Sequence, residues 1–90
     1  MKIEFDPAKR RKTLEARQLD IARADEVFEG ATLTVEDDRQ DYGETRFITI
    51  GRLDGRMVVM VWTRRGTARR IISLRKANAR EQALYGPRLD

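Results

Sequence analysis

The sequence predicts an α+β domain: an antiparallel β-sheet of about four strands plus a short N-terminal strand, with two N-terminal helices and one short C-terminal helix. Three observations carry that expectation. Two helix-start signals, Asp6-Pro7 and Asp20, fall within the first thirty residues. From Ala31 to Leu74 the chain consists of apolar, β-branched runs broken by glycine-containing turns. Asn78, with Glu81 three residues later, then opens a last helical stretch. Helices grouped at the two ends of a run of strands, instead of alternating with them, imply an antiparallel sheet. Ninety residues suffice for one modest core, so residues 1–90 form a single domain.

Taken in order, Ile3 and Phe5 alternate with Lys2 and Glu4, the pattern of a short strand with one buried face. Asp6 is the N-cap and Pro7 the first position of a polar helix reaching about Ala16, which carries Lys9, Arg10, Arg11 and Lys12. Ile21, Ala24, Val27 and Phe28 recur at helical spacing after Asp20, and Gly30 ends that helix. Ala31 to Val35 is rich in β-formers and leads into an acidic, turn-forming run from Glu36 to Asp41. Thr45 to Arg52 is a strand, Asp54-Gly55 a two-residue hairpin turn, and Met57 to Thr63 a central strand apolar on both faces. A second hairpin turn lies at Gly66, and Ala68 to Leu74 returns. Ala77, Glu81 and Tyr85 share one face of the last helix, which Gly86-Pro87 is expected to stop.

Composition removes whole classes of chemistry. The chain has neither Cys nor His, which excludes disulfides, thiol catalysis, zinc-thiolate sites and the usual acid/base residue near neutral pH. The N-terminus is charged at once and no apolar run approaches the ~20 residues that span a bilayer, so the expectation is a cytoplasmic protein without a membrane segment. Charge is divided unevenly. Residues 46–90 hold eleven Lys/Arg against three Asp/Glu, whereas residues 1–45 hold eight against twelve; the halves, +8 and −4, sum to the net +4. A C-terminal half that basic points to a polyanion, and nucleic acid is the natural candidate.

The basic cluster comprises Arg64, Arg65, Arg69, Arg70, Arg75, Lys76 and Arg80. In a regular strand Arg69 and Arg75 share a face with Ile71 and Ser73, and Arg70 goes with Ile72 and Leu74. The bland alternative for the cluster is a solvated surface that protects a sheet edge. Glu44 and Arg46, two apart at a strand start, project together as either a surface ion pair or an oriented cation–base pair. Trp62, inside an apolar run, is expected in the core; Tyr85 is equally a packing residue or a phenol at the site. The acidic run lacks calcium-loop spacing and is expected to be a solvated loop, so no metal site is assigned.

Phe5-Asp6-Pro7-x-Lys9, Val27-Phe28, Gly43-Glu44-x-Arg46, Ile50-Gly51, the Arg65-Gly66 turn, Arg70-Ile71-Ile72-Ser73-x-Arg75-Lys76-Ala77 and Glu81…Tyr85 occur in an order and spacing that resembles the BrnT toxins of bacterial type II toxin–antitoxin modules. The resemblance runs from about Ile3 to Tyr85. It implies a RelE-like fold, ribonuclease activity that blocks translation, and a BrnA-type antitoxin, through which alone the complex would meet operator DNA. One motif departs: where the family usually has Asn-x-x-Lys-His-Gly, this chain has Thr13-Leu14-Glu15-Ala16-Arg17. Any catalysis here proceeds without that His.

RNA cleavage by the substrate's own 2′-hydroxyl needs no protein nucleophile and no cofactor, only cations on the phosphate and groups that move protons. The expected assignment gives Arg75 and Arg65 the phosphorane charge and Glu44 or Lys9 the proton transfer, with bidentate geometry favouring Arg. Arg46, Arg70, Lys76, Arg80 and Tyr85 are the expected RNA contacts. Two other classes compete: a non-catalytic basic nucleic-acid-binding module and a protein-interaction subunit.

Overall fold

Both turn signals form hairpins. At Asp54 and Gly55 φ is 53° and 77°, the paired positive values of the tight turn whose twist matches the flanking strands. In the computed structural model, which describes residues 2–90, the strands are β1 (Lys2–Glu4), β2 (Leu33–Asp37), β3 (Arg46–Leu53), β4 (Arg56–Arg65) and β5 (Ala68–Lys76). The helices are α1 (Pro7–Arg17), α2 (Ala24–Glu29, entered through a 3-10 turn at Ile21–Arg23) and α3 (Ala79–Leu89). The strands form one sheet in the order β1-β5-β4-β3-β2.

The sheet is mixed, which corrects the expectation of an antiparallel one. β2 through β5 are antiparallel, but β1 joins the β5 edge in parallel through Lys2↔Ala68, Ile3↔Arg69 and Glu4↔Arg70. Alternation in a three-residue segment reports which face is buried and carries no information about the partner strand. β2 is also longer at its acidic end than expected, because Glu36 and Asp37 pair with Phe47 and Arg46 instead of turning. Gly86-Pro87 does not stop α3. The ring forgoes one backbone bond near the helix end, and burial of Leu89 beside Ile50, Met57 and Val59 offsets it. Arg88 accordingly lies in the last turn of α3 and not in a frayed tail.

α2 and the segment before it cover one face of the sheet. Leu19, Ile21, Ala24 and Val27 pack there against Leu53, Val58, Met60, Trp62, Ile71 and Leu74. Trp62 is a core residue, as expected. Its ring stacks on Phe47, meets Phe28 edge-on, and donates Nε1–H to the buried Thr49 hydroxyl at 2.8 Å. α1 buries no side chain and is held by polar contacts. Lys9 Nζ and Arg17 Nη1 donate to the carbonyls of Ile72 and Leu74, along the part of β5 that β1 leaves unpaired. None of these helices is long and apolar enough to cross a membrane.

Parity along β5 breaks in the middle. Trp62 faces Ile71 but Val61 faces Ser73, so Ile72 is an extra, bulged residue. Ile71 and Leu74 therefore both reach the helix-covered core. Arg69 stays on that side, its guanidinium 3.9 Å from the centre of the Phe28 ring. Arg75 moves to the opposite face together with Ser73 and Arg70, which corrects the pairing of Arg69 with Arg75 expected for a regular strand.

Gly51 sets how closely α2 approaches β3. A Cβ there would lie 2.7 Å from Val27 Cγ1 and 3.1 Å from Thr32 Cγ2. Valine has no spare rotamer freedom in a helix, so the clash has to be met by moving the helix. Gly51→Ala is expected to destabilise the protein by about 1–3 kcal/mol. The measurement is the urea unfolding midpoint, and an unchanged midpoint would show that α2 slides freely over β3.

Candidate functional site

The sheet face away from α1 and α2 is only partly covered, by α3. Its side chains form rows across the strands, set by the register. One row is polar: Asp37, Arg46, Thr63 and Arg70. The next two are Val35, Ile48, Val61, Ser73 and Leu33, Ile50, Val59, Arg75. The result is an apolar floor with Ser73 and Arg75 at one end. Over that floor opens a cleft of about 310 Å³, lined also by Arg39 from the β2–β3 connection and by Glu81 and Tyr85 from α3.

Arg75 is oriented by a bidentate pair with Glu81, with N–O distances of 2.8 and 2.9 Å. Glu81 is also the N3 residue of the α3 capping box: its carboxylate accepts from Asn78 N–H while Asn78 accepts from Glu81 N–H, each at 2.8 Å. The Arg75 guanidinium, helped by the Asn78 amide, holds the Glu81 carboxyl down at about 2. Across the cleft, Arg39 donates Nε and Nη2 to Asp37 at 2.7 and 2.9 Å. Asp37 is buried and also accepts from the Tyr42 hydroxyl at 3.1 Å and from the Arg39 amide. The Arg39 guanidinium brings Asp37 to about 2 against the opposing effect of burial, with the Arg39 amide and the Tyr42 hydroxyl adding to it.

From Tyr42 the network continues along the β2–β3 connection. Arg46 lies over the Tyr42 ring at 4.1 Å and donates to Glu44 at 3.2 Å, and Glu44 accepts from Arg65 at 3.3 Å. The fold thus brings Glu44, Arg46 and Arg65 together, at a different place from Arg75 and Tyr85. The Arg46 row and the Arg75 row are four residues apart along β4, about 13 Å. Arg70 is 3.9 Å from Glu4 at the sheet edge. Lys76 lies across β5, lining a depression of about 420 Å³ with Arg17, Gln18 and Arg75, and Arg80 is exposed on α3. Lys9 is outside the cleft, its ammonium on the bulged Ile72 carbonyl at 2.6 Å. The acidic side chains of the β2–β3 connection do not converge: no group of three or more potential ligands able to hold a metal ion occurs among the described residues.

Sequence reasoning missed Arg39 as a site residue. It is the single cation inside the run from Glu36 to Asp41, and a run read as solvated loop hides it. Its position two residues after Asp37, with Tyr42 close behind, is the signal that was available. Glu81 was legible as a helix cap but not as the partner of Arg75.

Residues 5–81 match the family model described as the ribonuclease toxin, BrnT, of type II toxin–antitoxin systems. No curated protein matches the chain.

Carboxyls held down by arginine partners, Glu81 and Asp37 among them, make the fold sensitive to acid. A carboxyl held below its ordinary value in the folded state contributes stability that is complete above the ordinary value and is lost as pH falls toward the folded one. For Glu81 that window runs from 4.5 down to about 2. Glu81→Gln keeps a side chain that completes the capping box but cannot ionise. It is expected to flatten the fall in melting temperature between those limits without abolishing it, because Asp37 still titrates there. Identical pH–melting curves for the two proteins would contradict the assigned pairing.

Proposed function

Given that the chain belongs to the BrnT family of ribonuclease toxins of type II toxin–antitoxin systems, we propose that it cleaves RNA without a metal ion, in the cleft on the open face of its sheet. The observation that carries this reading is the composition of the cleft: Arg75, Ser73, Tyr85 and Glu81 around an apolar floor. A low-dielectric surface strengthens a guanidinium's hold on a developing negative charge.

In the reaction, the 2′-hydroxyl oxygen attacks the adjacent phosphorus and the bond from phosphorus to the 5′-oxygen breaks. The products are a 2′,3′-cyclic phosphate and a free 5′-hydroxyl. Arg75, fixed by Glu81, stabilises the phosphorane. The Tyr85 phenol gives its proton to the departing 5′-oxygen. Glu81, the one carboxylate lining the cleft, receives the 2′-hydroxyl proton. A carboxylate whose pKa is about 2 is a weak base, so charge stabilisation carries most of the rate enhancement. Arg65, Arg46 and Glu44 form a second polar cluster along the same connection, suited to hold the RNA further along its backbone, with Arg70, Lys76 and Arg80 as outlying phosphate contacts. Lys9 supports the bulge that presents Ser73 and Arg75.

The fold is of the RelE-like kind in this reading, the setting is the cytoplasm where RNA is available, and the neutralising partner is a BrnA-type antitoxin. Expression alone is expected to arrest growth, and co-expression of that antitoxin to restore it.

The decisive comparison is Arg75→Ala with Arg88→Ala, each of which removes one positive charge. Loss of a transition-state contact costs about 10²–10³ in rate, so Arg75→Ala is expected to lower single-turnover RNA cleavage by that factor and Arg88→Ala to leave it within a few-fold. Thermal melts confirm that both variants fold, and wild-type cleavage is expected to persist in EDTA. Loss of cleavage in EDTA with recovery in Mg²⁺ would overturn the metal-free mechanism. Equal modest losses in the two variants would remove Arg75 from catalysis, and salt-dependent binding with no cleavage at all would identify a non-catalytic binding module.

A further inference from the structure

We propose that Arg39 is a substrate-binding residue, and that with Arg75 it forms a two-guanidinium clamp that grips a phosphodiester of the RNA from opposite sides of the cleft. The proposal rests on the reading of this face as the RNA site and adds to it a residue from outside the basic half of the chain.

The geometry is that of two cations brought in from opposite sides of one depression. β5, which carries Arg75, and β2, from which the Arg39 connection leaves, are separated by β4 and β3. Three strand spacings amount to about 14 Å. Both side chains line the same cleft above Ile48, Ile50, Val59 and Val61. Each is fixed by one carboxylate of its own, Asp37 for Arg39 and Glu81 for Arg75. Those pairs leave donors free: Arg39 uses Nε and Nη2 on Asp37, which leaves Nη1, and Arg75 uses Nη1 and Nη2 on Glu81, which leaves Nε.

Electrostatics agrees with the geometry. The Arg75 guanidinium is held chiefly by its hydrogen bond to Glu81, and the positive charge of Arg39 acts weakly against it across the cleft. Glu81 is the one carboxylate lining the cleft, and its charge is countered by the paired Arg75. A monoanion between the two guanidiniums would accept from both remaining edges. Asp37 adds rigidity at the base of Arg39: it is buried and has three further donors besides the Nε contact. A salt bridge that merely closed a surface loop would not require its cation to face the floor of a cleft.

The experiment measures binding separately from cleavage. The probe is a fluorescently labelled single-stranded 2′-deoxy oligonucleotide, which cannot be cleaved through a 2′-hydroxyl. Its dissociation constant is measured over a salt series for wild type, Arg39→Ala, Arg39→Lys, Arg75→Ala and Arg88→Ala. A hydrogen bond to a charged group is worth a factor of roughly 10 to 100 in affinity. Arg39→Ala and Arg75→Ala are each expected to weaken binding by about that factor, and to reduce the slope of log K against log salt by about 0.7. Arg88→Ala is expected to keep both affinity and slope. Arg39→Lys still neutralises Asp37 and so protects the fold, but it lacks the planar fork, and it is expected to lose affinity as well. Affinity and salt slope in Arg39→Lys and Arg39→Ala indistinguishable from Arg88→Ala would overturn the clamp, even if wild-type protein cleaves RNA. Binding that depends on both Arg39 and Arg75 would support the clamp, even if wild-type protein leaves RNA intact and the nuclease reading fails.

Discussion

One inserted residue decides what this surface is. Without the bulge at Ile72, strict alternation would turn Ser73 and Arg75 toward the helix-covered core and move Leu74 to the opposite face. With it, the strand satisfies the core twice, through Ile71 and Leu74, and still delivers a serine and an arginine to the open face. The bulged carbonyl is not left to solvent, because the Lys9 ammonium takes it. A polar helix with no buried side chain thereby earns its place: α1 is stitched to the exposed edge of β5 by Arg17 and by Lys9, the latter expected from the sequence to transfer a proton.

The division of labour between the two sheet faces follows from this. The covered face is filled by aliphatic side chains and the Phe28–Trp62–Phe47 aromatic group, with the Trp62 N–H satisfied by the buried Thr49 hydroxyl, which also meets that of the exposed Thr34. The other face has a smaller apolar patch, shared with α3, and its polar groups are arranged around the rim. Charges there are organised in chains and not as isolated pairs: Arg39–Asp37–Tyr42–Arg46–Glu44–Arg65 runs along one side without a break. Chains of this kind fix side chains that would otherwise sample many rotamers, at some cost in conformational entropy.

Much of the fold was legible in the residues, for local reasons. Asp6, Asp20 and Asn78 cap helices where the sequence placed them, Asp54-Gly55 turns as its φ preferences require, and the unbroken apolar run of β4 lies at the centre of the sheet. What was not legible depended on partners distant in sequence. The direction of β1 is set by the crossover that follows it. The end of α3 is set by a pocket for Leu89 that Pro87 does not announce, and the acidic residues Glu36 and Asp37 become strand because Phe47 and Arg46 lie opposite them. The candidate site divides the same way. Arg75 and Tyr85 stand out by type and spacing, whereas the parity change that gives Arg75 its face comes from the β4–β5 register, and Arg39 is concealed by its acidic neighbours.

The Glu81 carboxylate has two employers. It closes the first turn of α3 through Asn78, and it orients Arg75 in the cleft. A shared group of this kind makes the two states communicate. Any anion that draws Arg75 away from Glu81 changes the electrostatic setting of the helix start, and anything that tightens the helix start steadies the arginine. By reciprocity the two effects are equal in free energy. The last helix is therefore a reporter of what occupies the sheet: amide-proton exchange in the turn after Asn78 would register events at a side chain that belongs to a different element of the fold.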